Sequence, residues 1–150
     1  MVKKICVFGS GSFGTAMATL VARNDPLADV VILTRREDVQ RGINVAHKNP
    51  THCSEFTLSR NIRATTNSED ALRNASVIVH AIPLQSTEQF LDDVIDHIPR
   101  LGEIVFVSTS KGIETETLEL PCHLLERVLY RQKEKSRRRR NVKLAYLSGP

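Results

Sequence analysis

Short apolar runs alternate along the chain with longer stretches in which apolar residues recur every three or four positions. The short runs are uninterrupted, which is typical of strands buried on both faces of a parallel sheet. They predict strands at residues 3–8, 30–33, 77–82, 104–107 and 142–147. The periodic stretches predict helices at residues 12–24, 38–45, 68–74, 90–98 and 124–129. This alternation predicts an α/β fold, a doubly wound, mostly parallel sheet with helices on both faces.

Residues 47–66 interrupt the alternation. This stretch is polar and weakly periodic, so we expect a loop there, apart from a short strand near Ile62. Asn67 or Ser68 can cap the helix that follows, because a side-chain oxygen at that position accepts a backbone N–H of the first turn. No internal repeat or linker is visible, and residues 1–150 are expected to form one domain.

The composition is that of an ordinary soluble domain. Of the 150 residues, 41% are hydrophobic and 25% are charged, which excludes disorder and collagen-like repetition. No apolar run reaches the roughly 18 residues of a membrane span, and residues 1–4 leave no room for a signal peptide before the first strand. We therefore expect a cytoplasmic protein without a membrane partner.

The cysteines, histidines and clustered arginines suggest no further site. The 3 cysteines and 5 histidines have no zinc-site spacing, so neither a metal site nor a disulfide framework is predicted. His80 falls inside a predicted strand and is expected to be a hydrogen-bonded core residue. Basic residues concentrate between residues 131 and 143, around an arginine run at 137–140. No aromatic residues for stacking accompany this run, so a solvated insertion is favoured over nucleic-acid binding.

A glycine-rich turn follows the first strand and opens the first helix. It has the form G-x-G-x-x-G and comprises Gly9, Ser10, Gly11, Ser12, Phe13 and Gly14. Gly9 permits the tight turn, Gly11 lets the backbone approach a pyrophosphate, and Gly14 lets helix and strand pack closely. In this context the motif predicts a Rossmann-type dinucleotide site, with the phosphates facing amides at the helix start. A turn that serves only packing is the alternative.

The end of the second strand bears on the choice of dinucleotide. A site selective for NAD usually has an acidic residue there to bind the ribose 2′-hydroxyl. This chain has Thr34, Arg35 and Arg36 instead. Because a guanidinium can pair with a 2′-phosphate and stack on adenine, the cofactor is expected to be NAD or NADP. Solvated arginines at a helix start are the alternative for both positions.

Three motifs together resemble one enzyme family. They are V-F-G-S-G-S-F-G-T-A at residues 7–16, S-K-G-I-E at residues 110–114 after a predicted strand, and L-S-G-P at residues 147–150. In order and spacing they are similar to the motifs of NAD(P)-dependent glycerol-3-phosphate dehydrogenase. The resemblance spans residues 3–150 and implies interconversion of dihydroxyacetone phosphate and sn-glycerol 3-phosphate.

The resemblance also implies roles for individual residues. It assigns Ser12, Phe13 and Arg35 to the cofactor, Gly149 to the substrate and Lys111 to both. Lys111 follows a strand on the side where α/β sheets bind ligands, although a solvated lysine in the turn made by its neighbouring glycine is the alternative.

Pro83 matches a turn that runs beside the nicotinamide in the family, but it can also simply end the fourth strand. Ser86 stands where eukaryotic members often have an aromatic residue, so the match at this turn is partial.

One feature of the family falls outside this sequence. The lysine that acts as proton acceptor, and the helical substrate domain that carries it, are expected after Pro150, so no catalytic residue is assigned here. Without that group the 150-residue chain is expected to bind a dinucleotide and to turn over substrate poorly or not at all. A homodimer is expected for the full-length enzyme. A dinucleotide-binding module without catalysis, or a ketopantoate-reductase-like dehydrogenase, is the alternative.

Overall fold

The computed structural model of the chain describes residues 2–99, 102–131 and 141–147. The strands are β1 (Lys4–Phe8), β2 (Asp29–Leu33), β3 (Ile62–Thr65), β4 (Val77–His80), β5 (Glu103–Ser108) and β6 (Asn141–Tyr146). The helices are α1 (Ser12–Asn24), α2 (Glu37–Ala46), α3 (Ser68–Leu72), α4 (Thr87–Val94) and α5 (Pro121–Arg131). Single 3-10 turns at Leu84–Ser86 and Ile95–His97 flank α4. The short strand expected near Ile62 is confirmed as β3.

The six strands form one parallel sheet in the order β3-β2-β1-β4-β5-β6. The chain builds outward from β1 in one direction and then returns to add β4 on its other side. The strand order therefore reverses between β1 and β4, and a crevice opens there at the carboxyl ends of the strands. The predicted doubly wound fold is confirmed, and every strand pair is parallel.

The sheet is buried on both faces, which explains the uninterrupted apolar runs. Along β1, Cys6 and Phe8 pack into one core cluster, while Ile5 and Val7 pack into the other. Phe8 contacts the ring of Phe90 edge-on, with 5.0 Å between the ring centroids. Asn67 caps α3 as expected, since its side-chain oxygen accepts the N–H of Asp70 at 2.9 Å.

One element boundary differs from the prediction in a way that matters for the site. The apolar run predicts a strand to residue 82, but β4 ends at His80. The chain leaves the sheet at Ala81 to pass over the glycine-rich turn, where the Ala81 carbonyl lies 2.8 Å from the position of a Cβ on Gly9. Ile82 and Pro83 therefore face the crevice instead of continuing the ladder.

Candidate functional site

Two glycines of the turn between β1 and α1 are required by packing. Gly9 has φ +99°, a conformation that L side chains rarely adopt, and its N–H donates to the Leu33 carbonyl at 3.0 Å. A Cβ on Gly14 would lie 2.2 Å from the carbonyl oxygen of Gly9. Because backbone cannot move aside as a side chain can, both positions need glycine for the turn to close on the helix.

Gly11 differs from these two glycines. Its backbone is extended, with φ −68° and ψ 179°, and a Cβ there would meet no atom within 4 Å. Folding therefore does not require glycine at this position. Gly11 is also the residue before α1, and no side chain caps this helix start. The first amides of α1 and the open space at Gly11 thus form a cradle that suits a phosphate.

The loop after α2 is fastened to the same turn. Asn49 is fully buried, and its amide donates to the Ser10 carbonyl and to the Thr15 hydroxyl, both at 2.8 Å. Its carbonyl oxygen accepts the N–H groups of Thr51 and His52 at 3.1 and 3.2 Å. One buried side chain therefore sets the position of residues 49–52 relative to the glycines.

This fastening places an imidazole at the start of α1. Nδ1 of His52 lies 3.2 Å from the hydroxyl of Ser12, and both residues are exposed at this point. Phe13, the next residue of the turn, leaves 53% of its surface exposed. A ligand that docks on the first amides of α1 would contact these side chains.

A cleft of about 320 Å³ opens beside the turn at the carboxyl edge of the sheet. It brings together five residues predicted from the sequence, namely Gly9, Ser10, Arg35, Arg36 and Pro83. Ile82, Ser86 and Phe90 complete one wall, and the exposed lining is mostly apolar. A flat aromatic ring such as adenine suits a cleft of this kind.

The two arginines after β2 have different surroundings. The guanidinium of Arg35 lies over the ring of Phe90, 5.7 Å from its centroid. Arg36 instead pairs with Asp38, with contacts of 3.0 Å from Nε and 2.5 Å from a terminal nitrogen. This pairing raises the pKa of Arg36 and lowers the pKa of Asp38. Arg35 is therefore the arginine that is positioned to meet a ligand, while Arg36 already has an anionic partner.

Thr34 connects this segment to the glycine-rich turn. It is buried, and its hydroxyl lies 2.8 Å from the Ser10 hydroxyl and accepts the N–H of Arg36 at 3.2 Å. The sequence alone assigns no role to Thr34, Asn49 or His52. Thr34 could have been found from its place beside the arginines, but nothing in the polar loop marks Asn49 or His52.

Lys111 lies beyond β5 at the same edge of the sheet, outside the lining of the cleft, with its side chain exposed. Gly112 turns the chain there with φ +95°. Glu114 closes the following turn, because its carboxylate accepts the N–H groups of Glu116 and Thr117 at 3.0 and 2.6 Å. These bonds lower the pKa of Glu114. The loop that carries Lys111 is thus a folded turn.

Two predicted features lie outside the described residues, Gly149 and the arginine run at 137–140. Within the described parts of the chain, no group of three or more His, Cys, Asp or Glu residues could hold a metal ion. None of the helices in those parts is both long and apolar enough to cross a membrane. His80 is a buried, hydrogen-bonded core residue, as predicted.

Curated proteins similar to this chain include glycerol-3-phosphate dehydrogenases. A chloroplastic glycerol-3-phosphate dehydrogenase (NAD+) from Oryza sativa is 39% identical over 128 residues, which cover 85% of this chain and 28% of the relative. A glycerol-3-phosphate dehydrogenase (NAD(P)+) from Leptospira biflexa is 36% identical over 147 residues, which cover 98% of this chain and 41% of the relative. The chain therefore spans less than half the length of these relatives.

Solved structures share the fold at lower sequence identity. Glycerol-3-phosphate dehydrogenase from Coxiella burnetii superposes with a TM-score of 0.81 and 18% identity, covering 99% of this chain and 41% of that one. The Plasmodium falciparum enzyme gives a TM-score of 0.80 with 23% identity over the same shares of the two chains. The family model described as the NAD-dependent glycerol-3-phosphate dehydrogenase N-terminus matches residues 4–150. The chain belongs to the NAD-dependent glycerol-3-phosphate dehydrogenase family and corresponds to the N-terminal domain of its members.

Proposed function

We propose that this chain binds NAD or NADP and is the cofactor domain of a glycerol-3-phosphate dehydrogenase. The activity would interconvert dihydroxyacetone phosphate and sn-glycerol 3-phosphate. The observation that carries the proposal is the open cradle at Gly11, where packing does not demand a glycine and no side chain caps the helix. Relatives over most of the chain are named for this activity.

The pyrophosphate of the cofactor would lie on the start of α1. The amides of Gly11, Ser12 and Phe13 would face that position, and the positive end of the helix dipole favours the anion. The hydroxyl of Ser12 and the imidazole of His52 stand at the same opening and can donate further hydrogen bonds. Three kinds of donor would therefore converge on one anionic group.

The adenosine half would occupy the cleft beside Arg35. The adenine ring can lie against the apolar wall formed by Ile82 and Phe90, and the ribose would reach the end of β2. There Arg35 can pair with a 2′-phosphate, which supports use of NADP, while no acidic side chain replaces it to select NAD. Arg36 would contribute once its pair with Asp38 opens.

The nicotinamide half would extend past Pro83 toward the loop of Lys111. Bound there, the cofactor supplies a hydride acceptor or donor for carbon 2 of the substrate. The ammonium of Lys111 would hold the cofactor and the phosphate-bearing substrate, and Gly149 would contact the substrate. The family resemblance assigns the proton acceptor to a segment after residue 150, so we expect binding without turnover for the 150-residue chain. We further propose a cytoplasmic, homodimeric full-length enzyme.

The proposal is tested by titrating the chain with NADH and with NADPH and following cofactor fluorescence. We expect saturable binding of at least one cofactor. Addition of dihydroxyacetone phosphate should then leave the absorbance of the reduced cofactor unchanged. A chain that keeps its thermal unfolding transition but binds neither cofactor would refute the proposal.

A further inference from the structure

His80 ends β4 between the two loops assigned to the cofactor and the substrate. Its side chain is fully buried, and its ring packs on Phe106 with 5.8 Å between the centroids. A valine or isoleucine would satisfy the apolar pattern of this strand equally well. The polar contacts of the imidazole therefore distinguish histidine from an apolar residue at this position.

The two ring nitrogens of His80 contact two different segments of the chain. Nδ1 lies 2.9 Å from the hydroxyl of Ser110, the residue before Lys111. Nε2 lies 3.1 Å from the hydroxyl of Thr87 at the start of α4. A neutral imidazole donates from one nitrogen and accepts at the other, so it can bond one hydroxyl on each side.

The two hydroxyls extend these contacts to the turn that lines the cleft. Thr87 donates to the Pro83 carbonyl at 3.2 Å, and the Ser110 hydroxyl lies 3.3 Å from the Ile82 carbonyl. The loop of Lys111 and the turn of Pro83 are thus joined through one buried ring. Burial lowers the pKa of His80 to about 4, which keeps the ring neutral near pH 7.

The backbone of His80 holds the same segment from the other side. Its carbonyl accepts the N–H of Thr109 at 3.1 Å and the Thr109 hydroxyl at 2.7 Å. These bonds do not depend on the side chain of residue 80. Loss of the ring would therefore leave the strand attached and remove the shortest side-chain contact of Ser110, leaving its hydroxyl only the Ile82 carbonyl at 3.3 Å.

We propose that His80 is a positioning residue for Lys111, holding the segment Ser110–Lys111 against the turn at Ile82 and Pro83. This inference rests on the proposed function, since it concerns how Lys111 meets a bound dinucleotide. A side chain that contacts a ligand loses binding energy when its loop shifts. The His80–Ser110 bond should consequently affect cofactor affinity only when the ammonium of Lys111 is present to contact the cofactor.

The test is a double-mutant cycle on NADH and NADPH affinity, measured by fluorescence on the 150-residue chain. Ser110→Ala removes the hydroxyl that bonds His80, and we expect about 2- to 10-fold weaker binding, the range of one hydrogen bond. In a Lys111→Met background the same change should alter the affinity by less than about 2-fold, because the group being positioned is gone. His80→Leu should reproduce the loss seen for Ser110→Ala.

Ser76→Ala is the matched control, because its hydroxyl bonds the Lys4 carbonyl at 3.2 Å at the opposite edge of the sheet. It should bind both cofactors like the unmodified chain. If His80→Leu does not fold, Ser110→Ala alone decides, since Ser110 is only half-buried.

If the unmodified chain binds a cofactor and Ser110→Ala binds it equally well, the inference about His80 is wrong and the proposed function stands. The same conclusion follows from a Ser110→Ala loss that persists undiminished in the Lys111→Met background. An unmodified chain that binds neither cofactor overturns the proposed function and this inference with it.

Discussion

Two clefts open at opposite edges of the same sheet. In the larger one, charged side chains bond one another and the protein backbone. The cleft at the amino ends of the strands measures about 1250 Å³, against about 320 Å³ for the cleft at the carboxyl ends. In the larger cleft, Arg63 contacts the carboxylates of Asp29 and Asp70 at 3.3 and 2.8 Å. The ammonium of Lys4 donates to the carbonyls of Asp70 and Arg73 at 2.6 and 2.9 Å.

The smaller cleft is arranged differently. Arg35 lies over an aromatic ring, and none of the described carboxylates pairs with it. The backbone beside it opens at Gly11 onto amides that no side chain caps. Lys4 and Arg63 at the amino edge are bonded within the protein, whereas Arg35 and the first amides of α1 at the carboxyl edge have room for a ligand. Unused hydrogen-bonding capacity, and not volume, therefore marks the candidate site.

Gly11→Val is expected to have the largest effect on cofactor binding at the carboxyl edge. The extended backbone and the empty surroundings of Gly11 accommodate the side chain, so the unfolding midpoint should stay nearly unchanged. The side chain would fill the phosphate cradle, and loss of bonds to a charged group should weaken both cofactors by about 100-fold or more. Fluorescence titration and thermal unfolding measure the two effects separately.

Gly14→Val is the contrasting control at the other end of the motif. Its Cβ would meet the Gly9 carbonyl at 2.2 Å, so stability should fall by about 3 kcal/mol. Equal stability losses for the two variants would refute the distinction between a packing glycine and a ligand-facing glycine.

The contributions of the two edges to stability are lost over different pH ranges. His80 at the carboxyl edge has a folded pKa of about 4, below its ordinary 6.5, so the unfolded chain takes up a proton first as the pH falls. Its contribution to stability is complete above pH 6.5 and is lost toward pH 4. We expect a loss of about 2 kcal/mol between pH 7.5 and 5 by urea unfolding.

His80→Leu should flatten this pH dependence. His123→Gln, at an exposed position on α5, should not. An unchanged slope in His80→Leu would contradict the assignment of the pH dependence to the buried ring.

Arg35→Ala tests whether Arg35 favours NADPH over NADH at the carboxyl edge. Loss of a guanidinium that pairs with the 2′-phosphate should weaken NADPH by about 10- to 100-fold, the range for a bond between charged groups. NADH lacks that phosphate and should be affected much less. Arg41→Ala, an exposed arginine on α2 away from the cleft, is the control. Equal losses for both cofactors would place Arg35 elsewhere than at the 2′ position.

The smallest effect is expected at the amino edge. Arg63→Met removes the partner of Asp29 and Asp70, which are partly exposed, and should cost about 1 kcal/mol of stability. Arg63 also lowers the pKa of Asp70, so this contribution is present above about pH 4 and disappears in more acidic solution. Cofactor affinity should not change. A variant that loses affinity would show that the larger cleft takes part in binding.

Much of the fold was predictable because its signals are local. The apolar runs of β1 and β2 and the glycines between them report conformations set within a few residues, as does the cap at Asn67. Pro83, which the family resemblance assigns to a turn beside the nicotinamide, lies in the lining of the cleft.

The supporting contacts were not predictable in the same way. Asn49 bonds Ser10 across 39 positions of the sequence, and Ser110 meets His80 across 30. Only the folded sheet brings such pairs together, and an isolated asparagine or histidine carries no pattern that would show its partner. The sequence identifies His80 as a core residue, but not which two segments its ring joins.

The most direct test of the cofactor site is a two-dimensional amide NMR map of the chain titrated with NADPH. The largest shifts should fall on the amides of residues 9–13 and 34–35, with the Lys111 amide next, and the amide signals of Arg63 and Asp70 should not move. Shifts centred on Arg63 and Asp70, or no shifts at all in a folded chain, would contradict the assignment of the carboxyl edge as the cofactor site.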